Sequence, residues 1–228
     1  MRSILLEHDP KAEFVEIVGD KLHHLVHVVR IEADENILLL NGQGVRTLCQ
    51  VQSISKKSLR VKIVGDFLTN SSHQVDVAIG IPKKDALESC LKQSCELGIR
   101  NIFLVRASYS QIKVPEAERI QSILESGVEQ SNSAYIPVVK SFDWEAIPWA
   151  DYESVILLDS QTGMNQVQSS LSGKILLVIG PEGGFSPEEM SIFDQLPNLK
   201  RVLLPTAILR TPTALSAGVG FVLGALLD

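Results

Sequence analysis

The chain has 228 residues, of which 45% are hydrophobic, and its 27 acidic and 21 basic side chains leave a net charge of −6. This composition suits a folded protein with one large core or two smaller ones, and it argues against a protein that binds nucleic acid through a uniformly basic surface. The N-terminus lacks the apolar core of a signal peptide, and no run of about eighteen apolar residues is free of charge. We therefore expect a cytoplasmic protein that makes no contact with a membrane.

The first 70 residues contain short segments rich in β-branched side chains: EFVEIV, NILLLNG, TLCQVQSI and SLRVKIVG. Turn residues separate them, among them the NGQG run at residues 41–44, which favours a hairpin. One segment, residues 19–30, differs because its apolar residues recur at helical spacing. The pattern predicts a small β-barrel-like domain with one helix over residues 1–70 and a polar linker at residues 68–74.

Residues 71–228 show strands and helices in alternation. Apolar runs predict buried strands at VDVAIGI, NIFLV, SVILLD and KILLVIG and a short last strand at RVLL. Helices are predicted at DALESCLKQSCEL, which stops at Gly98, at PEAERIQSILESGVEQS, and at the C-terminus. Such alternation is typical of a parallel sheet covered by helices, so we predict an α/β domain.

The run VIGPEGGFSPEEM, residues 178–190, joins one of these strands to a helix through a glycine-rich turn. Crevices at the carboxyl ends of parallel strands are where such folds bind ligands. Gly183 and Gly184 permit positive φ angles and the close approach of a ligand to the backbone. Ser186 and Glu189 have the spacing of a capping box, which would occupy the helix-terminal N–H donors with the side chains of the protein itself.

The charge of this turn argues against a phosphate ligand. The turn has no lysine or arginine, Glu182 lies at its centre, and neither the GxxxxGK[ST] nor the GxGxxG pattern matches. The residues leave two interpretations open. The turn binds a ligand that is neutral or positively charged at this point, or it is a tight turn without a ligand.

The C-terminal segment RVLLPTAILRTPTALSAGVGFVLGALLD repeats the order strand, loop and helix. Thr211 and Pro212 predict a cap and a first-turn proline. Each glycine in the helix costs about 1 kcal/mol relative to alanine, which indicates close packing within one subunit or against a partner subunit. Arg210 is the charged residue in an apolar run beside a loop of ligand size, and we interpret it as functional rather than as a surface charge.

Together the motifs LLVIGPEGGFSPEE and LLPTAILRTPTA resemble the cofactor-binding segments of the SPOUT methyltransferase superfamily. More narrowly, nearly the whole chain resembles the bacterial 16S ribosomal RNA uridine-N3 methyltransferase family. Further matches to the pattern of that family lie at His24 and Arg30 in HHLVHVVR, at Pro82-Lys83, at Glu96-Leu97-Gly98, at Glu129-Gln130-Ser131 and at Ile136-Pro137.

The resemblance implies a fold and an activity. It implies an RNA-binding PUA-like β-barrel over residues 1–70 and an α/β domain with a deep trefoil knot over residues 71–228. It implies that S-adenosylmethionine binds in the knot and that the protein works as a homodimer without a metal ion. The substrate it implies is N3 of a uridine in 16S ribosomal RNA or the small ribosomal subunit. S-adenosylmethionine has no phosphate and carries a sulfonium cation, which agrees with the charge of the turn.

The motifs and the resemblance together predict the residues of the site. The predicted cofactor-binding residues are Leu158, Ile179, Gly180, Pro181, Glu182, Gly183, Gly184, Leu203, Leu204, Ile208, Leu209, Thr211, Thr213 and Ala214. Arg210 is the first catalytic candidate, because charge develops on the carbonyl oxygens of uracil when its N3 proton leaves and a fixed cation stabilises that charge. Glu182 is the second candidate, either as a general base or as a residue that holds the loop.

An RNA substrate requires local Lys and Arg side chains despite the negative net charge. The predicted RNA-binding residues are His24, Arg30, Arg46, Lys56, Lys57, Arg60, Lys62, Lys83 and Lys84. Lys56 and Lys57 fit a solvated hairpin tip equally well. No aromatic residue is interleaved with these charges, so the sequence predicts no platform for base stacking.

The chain departs from the family pattern at Gln93, Ser108, Tyr109, Ser133, Ala207 and Pro212, where several charged side chains are usual. Three alternatives therefore stay open beside the uridine-N3 methyltransferase. They are a methyltransferase of the same fold with another RNA target, a non-catalytic RNA-binding or ribosome-assembly protein, and a nucleotide-dependent oxidoreductase. The last lacks the GxGxxG fingerprint and its ribose-binding acid.

Overall fold

The computed structural model describes residues 1–68, 75–110, 113–160 and 171–226, and for residues 66–68 it describes the backbone alone. The chain divides into two compact units. Unit 1 comprises Met1–Ser71 and Glu125–Ile136, and unit 2 comprises Ser72–Leu124 and Pro137–Asp228. The predicted linker at residues 68–74 lies almost wholly outside the described residues. Within the described ranges, no helix is both long enough and apolar enough to span a bilayer.

Unit 1 is built on a five-stranded sheet. Its strands are β1 Arg2–Leu5, β2 Phe14–Ile17, β3 Asn36–Leu40, β4 Val45–Ile54 and β5 Leu59–Leu68. The sheet order is β1-β3-β4-β5-β2, with β1 parallel to β3 and the other pairs antiparallel. The register of the long β4–β5 hairpin shifts after Leu48 and after Val51, and such irregularities bend a sheet.

The predicted helix of unit 1 is confirmed, and it changes type along its length. An α-helical turn, α1 Gly19–His23, continues as a π-helix over His24–Val29. Leu22 and Leu25 pack into the core of the sheet, which explains the helical spacing of the apolar residues. The helix ends at Arg30, which has a left-handed backbone with φ of 56°.

Residues Glu125–Ile136 belong to unit 1 because hydrogen bonds hold them to its sheet. The Ser3 hydroxyl donates to the Glu129 carbonyl oxygen at 2.6 Å, and the Leu5 N–H donates to the Glu129 carboxylate at 2.8 Å. The Ile136 N–H donates to the Gly42 carbonyl oxygen at 3.0 Å. The linear pattern of strands and helices did not predict this return of the chain.

Unit 2 is built on a parallel sheet, as predicted, and the sheet has six strands where the sequence predicted five. Its strands are β6 Val75–Gly80, β7 Asn101–Val105, β8 Val138–Phe142, β9 Ser154–Leu158, β10 Ile175–Ile179 and β11 Leu199–Val202. Its helices are α2 Lys84–Glu96, the first part of α3 Ala117–Ser131, α4 Pro187–Phe193 and α5 Thr211–Ala225, with 3-10 turns at Trp144–Ala146 and Trp149–Asp151. From Glu125 onward, α3 belongs to unit 1. Every residue of β6 and β10 is buried, as expected when both faces of a sheet are covered.

The order of the sheet places the site. The strands lie in the order β11-β9-β10-β6-β7-β8, so the chain runs outward from β6 to β8 and then crosses to β9 on the other side. Such a reversal opens a crevice at the carboxyl ends of the strands beside it. The predicted trefoil knot depends on the path of the chain between β9 and α5. Residues 161–170 of that path lie outside the described residues, so the knot stays a prediction.

Candidate functional site

A cavity of about 340 Å³ opens at the carboxyl ends of β9, β10 and β11. Three segments form its walls: the end of β9, the glycine-rich turn at residues 180–186, and the β11–α5 loop at residues 203–210 with the first turn of α5. All of the predicted cofactor-binding residues except Gly183 and Thr213 line this cavity. The lining also includes Asp159, Ser160, Phe185, Met190, Arg201, Val202, Thr206 and Ala207.

The glycine-rich turn has a tight backbone that depends on its glycines. The Gly184 N–H donates to the Pro181 carbonyl oxygen at 2.9 Å, and Gly184 has a φ of +74°, which favours glycine. A Cβ atom on Gly183 would lie 2.7 Å from the Cβ atom of Tyr109. Gly183 therefore serves the packing of a neighbouring loop, while Gly184 allows the change of chain direction.

The predicted capping box at the start of α4 is confirmed. The Glu189 N–H donates to the Ser186 hydroxyl oxygen at 3.3 Å, and the Ser186 N–H donates to the Glu189 carboxylate at 2.7 Å. The other carboxylate oxygen of Glu189 accepts hydrogen bonds from the Ser108 N–H at 2.8 Å and from the Trp144 indole N–H at 2.9 Å. This buried carboxylate fixes three segments of unit 2 beside the site.

Glu182 is exposed at the centre of the turn, and the Lys83 N–H donates to its two carboxylate oxygens at 3.2 and 3.4 Å. This contact ties the glycine-rich turn to the loop after β6. Glu182 also lines the cavity. Its surroundings are those of a residue that holds the loop, and its role as a general base stays a prediction.

The β11–α5 loop is largely exposed, whereas the glycine-rich turn is held by hydrogen bonds. Ile208 is 87% exposed, and Arg210 is exposed at the position just before α5. The prediction of Thr211 as a helix cap was wrong. Thr211 is the first residue of α5, and its hydroxyl donates to the Gly180 carbonyl oxygen at 3.3 Å, so it joins the helix to the glycine-rich turn.

One glycine of α5 is explained by packing within unit 2. A Cβ atom on Gly218 would lie 2.7 Å from the Leu158 side chain and 3.0 Å from that of Leu177, so the helix lies close against the sheet. Gly220 and Gly224 differ, because a Cβ atom on either would have no described atom within 4 Å. Packing in one chain therefore accounts for part of the glycine content.

Charged and polar groups at the cavity suit a ligand without phosphate. Arg201 lines the cavity but forms ion pairs with Asp159, at 3.5 Å, and with Asp194. The capping box occupies the N-terminus of α4.

Burial raises the pKa of the Cys49, Cys90 and Cys95 thiols to about 12, which keeps these free cysteines protonated and unreactive.

The predicted RNA-binding residues lie in both units, and each unit holds its own set. In unit 1, Lys56 and Lys57 line a second cavity together with His23 and His27. The Arg60 guanidinium lies 4.0 Å from the centre of the Phe14 ring, and Lys62 lies 4.0 Å from Glu13.

His24 and Arg30 are exposed, and Arg46 is half-buried with its Nε atom unpaired among the described residues. In unit 2, Lys83 and Lys84 are exposed.

The fold and the site together define a class of protein. It has an α/β domain, in which the loops after the strands of a parallel sheet form a ligand cavity, and a second, small β-sheet unit. The chain belongs to the RNA methyltransferase family, because the model of the RNA methyltransferase domain matches residues 69–222. A second model, the RNA methyltransferase PUA domain, matches residues 17–64. The predicted family, α/β domain and PUA-like first domain are thereby confirmed.

Two relatives carry the name ribosomal RNA small subunit methyltransferase E. The protein of Rickettsia conorii is 27% identical over 214 residues, which cover 88% of this chain and 85% of that protein. The protein of Bacillus subtilis is 27% identical over 226 residues, which cover 90% and 87%. These similarities extend over both units.

Solved structures share the fold. The ribosomal RNA small subunit methyltransferase E of Neisseria gonorrhoeae, bound to S-adenosyl methionine, has a TM-score of 0.82 and 24% identity, covering 97% of this chain and 96% of that one. A methyltransferase of Legionella pneumophila in complex with the same cofactor has a TM-score of 0.78 and 22% identity, covering 98% and 96%.

The sequence marked Ser108 and Tyr109 as departures from the family pattern, but it did not place them or Trp144 beside the glycine-rich turn and α4. Ser108 and Tyr109 lie on the β7 loop, residues 106–110, and Trp144 lies on the 3-10 turn after β8. The signal available for the β7 loop was the strand NIFLV. Since neighbouring parallel strands end at one edge of the sheet, the residues after NIFLV were candidates for contact with the glycine-rich turn.

Proposed function

We propose that this protein transfers a methyl group from S-adenosylmethionine to N3 of a uridine in the RNA of the small ribosomal subunit. Membership in the RNA methyltransferase family supports the reaction class, and the names of its relatives support the substrate. The observation that carries the proposal is the cavity between the glycine-rich turn and the β11–α5 loop.

The residues of this cavity fit S-adenosylmethionine. Apolar side chains such as Leu158 and Ile179 line it beside the carboxylates of Glu182 and Asp159, which suits a ligand with a flat apolar base and a sulfonium cation. An anionic phosphate would meet these carboxylates and a helix N-terminus that is already capped. We assign adenine binding to residues 179–184 and 203–209. When bound, the cofactor supplies an electrophilic methyl group.

The residues of this chain contribute position and charge to the reaction. N3 of uracil becomes a good nucleophile when its proton passes to solvent water, and negative charge then spreads to the two flanking carbonyl oxygens. Arg210 is exposed beside the cavity and forms no salt bridge with a described residue, so its guanidinium is available to stabilise that charge. We assign Glu182 to holding the turn in place through Lys83.

We also propose that the protein works as a homodimer through the exposed face of α5. Thr213, Gly220 and Gly224 are exposed on this helix, and the two glycines have free space at the Cβ position. Glycines on an exposed helix face are costly unless another backbone approaches them. Gly220→Leu should lower the mass measured by light scattering from that of a dimer to that of one chain. A mass of one chain for the wild type would contradict the proposal.

The proposed activity is tested with cofactor carrying a labelled methyl group and small ribosomal subunits that lack base methylation. The expected result is transfer of one methyl group to each small ribosomal subunit, at N3 of a uridine. Label at a carbon, a ribose or another base would overturn the proposed position of transfer. No transfer to particles or to free RNA, together with RNA binding, would identify a non-catalytic protein.

A further inference from the structure

Tyr109 is an aromatic side chain that unit 2 exposes beside the glycine-rich turn. It is 48% exposed, although its Cβ and Cγ atoms would lie 2.7 and 3.1 Å from a Cβ atom on Gly183. Glu182 and Gly184, on either side of Gly183, line the cavity, whereas Tyr109 does not. The ring therefore lies beside the glycine-rich turn at Gly183, outside the lining of the cavity.

The exposure of Tyr109 is fixed by its loop. The Ser108 N–H donates to Glu189 at 2.8 Å, and the Ser108 hydroxyl donates to the Ser186 hydroxyl oxygen at 3.2 Å. On the other side of Tyr109, the Ser110 N–H donates to the Ala107 carbonyl oxygen at 2.9 Å. Because the backbone is anchored before and after the ring, little conformational entropy is lost when a ligand contacts it.

Positively charged residues belong to the segments that contact the glycine-rich turn. Arg106 begins the β7 loop, and Lys83 contacts the turn through its backbone N–H, which donates to Glu182. Both side chains are exposed, and neither forms a salt bridge with a described residue. An exposed aromatic ring with nearby cations is the arrangement that binds single-stranded nucleic acid, where bases stack on rings and phosphates contact Lys and Arg.

We propose that Tyr109 is a stacking platform for an RNA base next to the methylated uridine, with Arg106 and Lys83 holding the adjacent phosphates. This inference rests on the proposed function, since it takes the RNA substrate from there. It differs from the expectation, drawn from the sequence, that the protein has no stacking platform. The platform places the uridine beside the cavity by binding its neighbour.

The test uses single-stranded RNA fragments that carry the fluorescent base 2-aminopurine immediately before or after a uridine. Stacking on an aromatic ring quenches this fluorescence. Wild type and Tyr109→Phe should quench one of the two fragments, because both keep the ring, and Tyr109→Ala should not. With small-subunit RNA as substrate, Tyr109→Ala should raise KM about tenfold while kcat and the affinity for S-adenosylmethionine stay unchanged.

Val138→Ala serves as the matched control. Val138 is an exposed apolar residue at the start of β8, whereas Tyr109 follows the carboxyl end of β7, so the two lie at opposite ends of neighbouring strands. Thermal unfolding checks that each variant is folded. Equal quenching by wild type and Tyr109→Ala, or no quenching of either fragment by wild type, overturns the platform. A loss of dimer mass in Tyr109→Ala also overturns it, because Tyr109 would then belong to a subunit interface. Quenching that depends on Tyr109 without methyl transfer by wild type supports the platform and rejects the proposed activity.

Discussion

Two segments close the same cavity, and they are built in opposite ways. The glycine-rich turn forms hydrogen bonds with four other segments, through Lys83, Ser108, Glu189 in the first turn of α4, and Thr211 in the first turn of α5. In the β11–α5 loop, by contrast, residues 205–208 and Arg210 are all exposed. One wall of the cavity is fixed by the protein itself, and the other presents its side chains to solvent.

The difference separates two tasks. A fixed wall can hold the cofactor in one position, since the structure has already spent the entropy of ordering it. An exposed wall leaves Arg210 accessible to a large external substrate such as RNA. We therefore expect substitutions in the turn to act on stability and cofactor position, and substitutions in the loop to act on the reaction.

The largest effect is expected from Glu189→Ala. Its buried carboxylate accepts hydrogen bonds from Ser186, Ser108 and Trp144, and its removal leaves these donors unpaired, at a cost of about 4 kcal/mol in the free energy of unfolding. Urea unfolding measures the change. The matched control is the exposed neighbour Glu188, for which substitution by Ala should cost less than about 1 kcal/mol. Equal losses for the two variants would mean that the turn is not held by Glu189.

The second effect concerns the loop. Arg210→Ala should lower the single-turnover rate of methyl transfer about 100-fold, the loss typical of removing one group that stabilises developing charge. Its affinity for S-adenosylmethionine and its unfolding midpoint should match the wild type, because the side chain is exposed. Arg210→Lys should recover part of the rate. A wild-type rate in Arg210→Ala would remove the catalytic role of Arg210.

A smaller effect separates the two roles of Glu182. Glutamine keeps an oxygen that accepts the Lys83 N–H but cannot act as a base, whereas alanine loses both properties. If Glu182 holds the turn, Glu182→Ala should lower kcat/KM about tenfold and Glu182→Gln no more than about twofold. Steady-state kinetics on ribosomal RNA measure both. Equal, large losses in the two variants would assign Glu182 to proton transfer instead.

The smallest effect is expected at Ile208, the most exposed apolar residue of the loop. Ile208→Ala should change the free energy of unfolding by less than about 0.5 kcal/mol. Ile179→Ala makes the same chemical change at the buried end of β10 and should cost about 3 kcal/mol. Urea unfolding at a concentration that keeps one oligomeric state compares them. Similar costs would show that the loop is as firmly packed as the strand.

Local sequence patterns predicted the elements that depend on neighbouring residues. Continuous apolar runs predicted β6, β7, β9 and β10, because each is covered on both faces. β8 was not predicted, because most of its residues are exposed and its short sequence VVKSF mixes apolar and polar residues. Gly98, predicted to stop α2, follows the helix with a φ of +71°.

Contacts between distant segments could not be predicted in the same way. The capping box needed only Ser186 and Glu189, which are three residues apart. The bonds from Ser108 and Trp144 to Glu189 span 81 and 45 residues, and no local pattern encodes them. The same holds for Tyr109 against Gly183. Sequence therefore predicted which segments line the cavity but not what holds the glycine-rich turn in place.

The central claim is that the cavity between these two walls binds S-adenosylmethionine and discriminates against phosphate. Isothermal titration calorimetry of the wild-type protein with S-adenosylmethionine, and separately with ATP, tests it most directly, because both ligands carry adenosine and differ in charge. We predict saturable binding of S-adenosylmethionine at one site per chain and no saturable binding of ATP. Absence of binding, or ATP binding as tight as that of S-adenosylmethionine, would contradict the account.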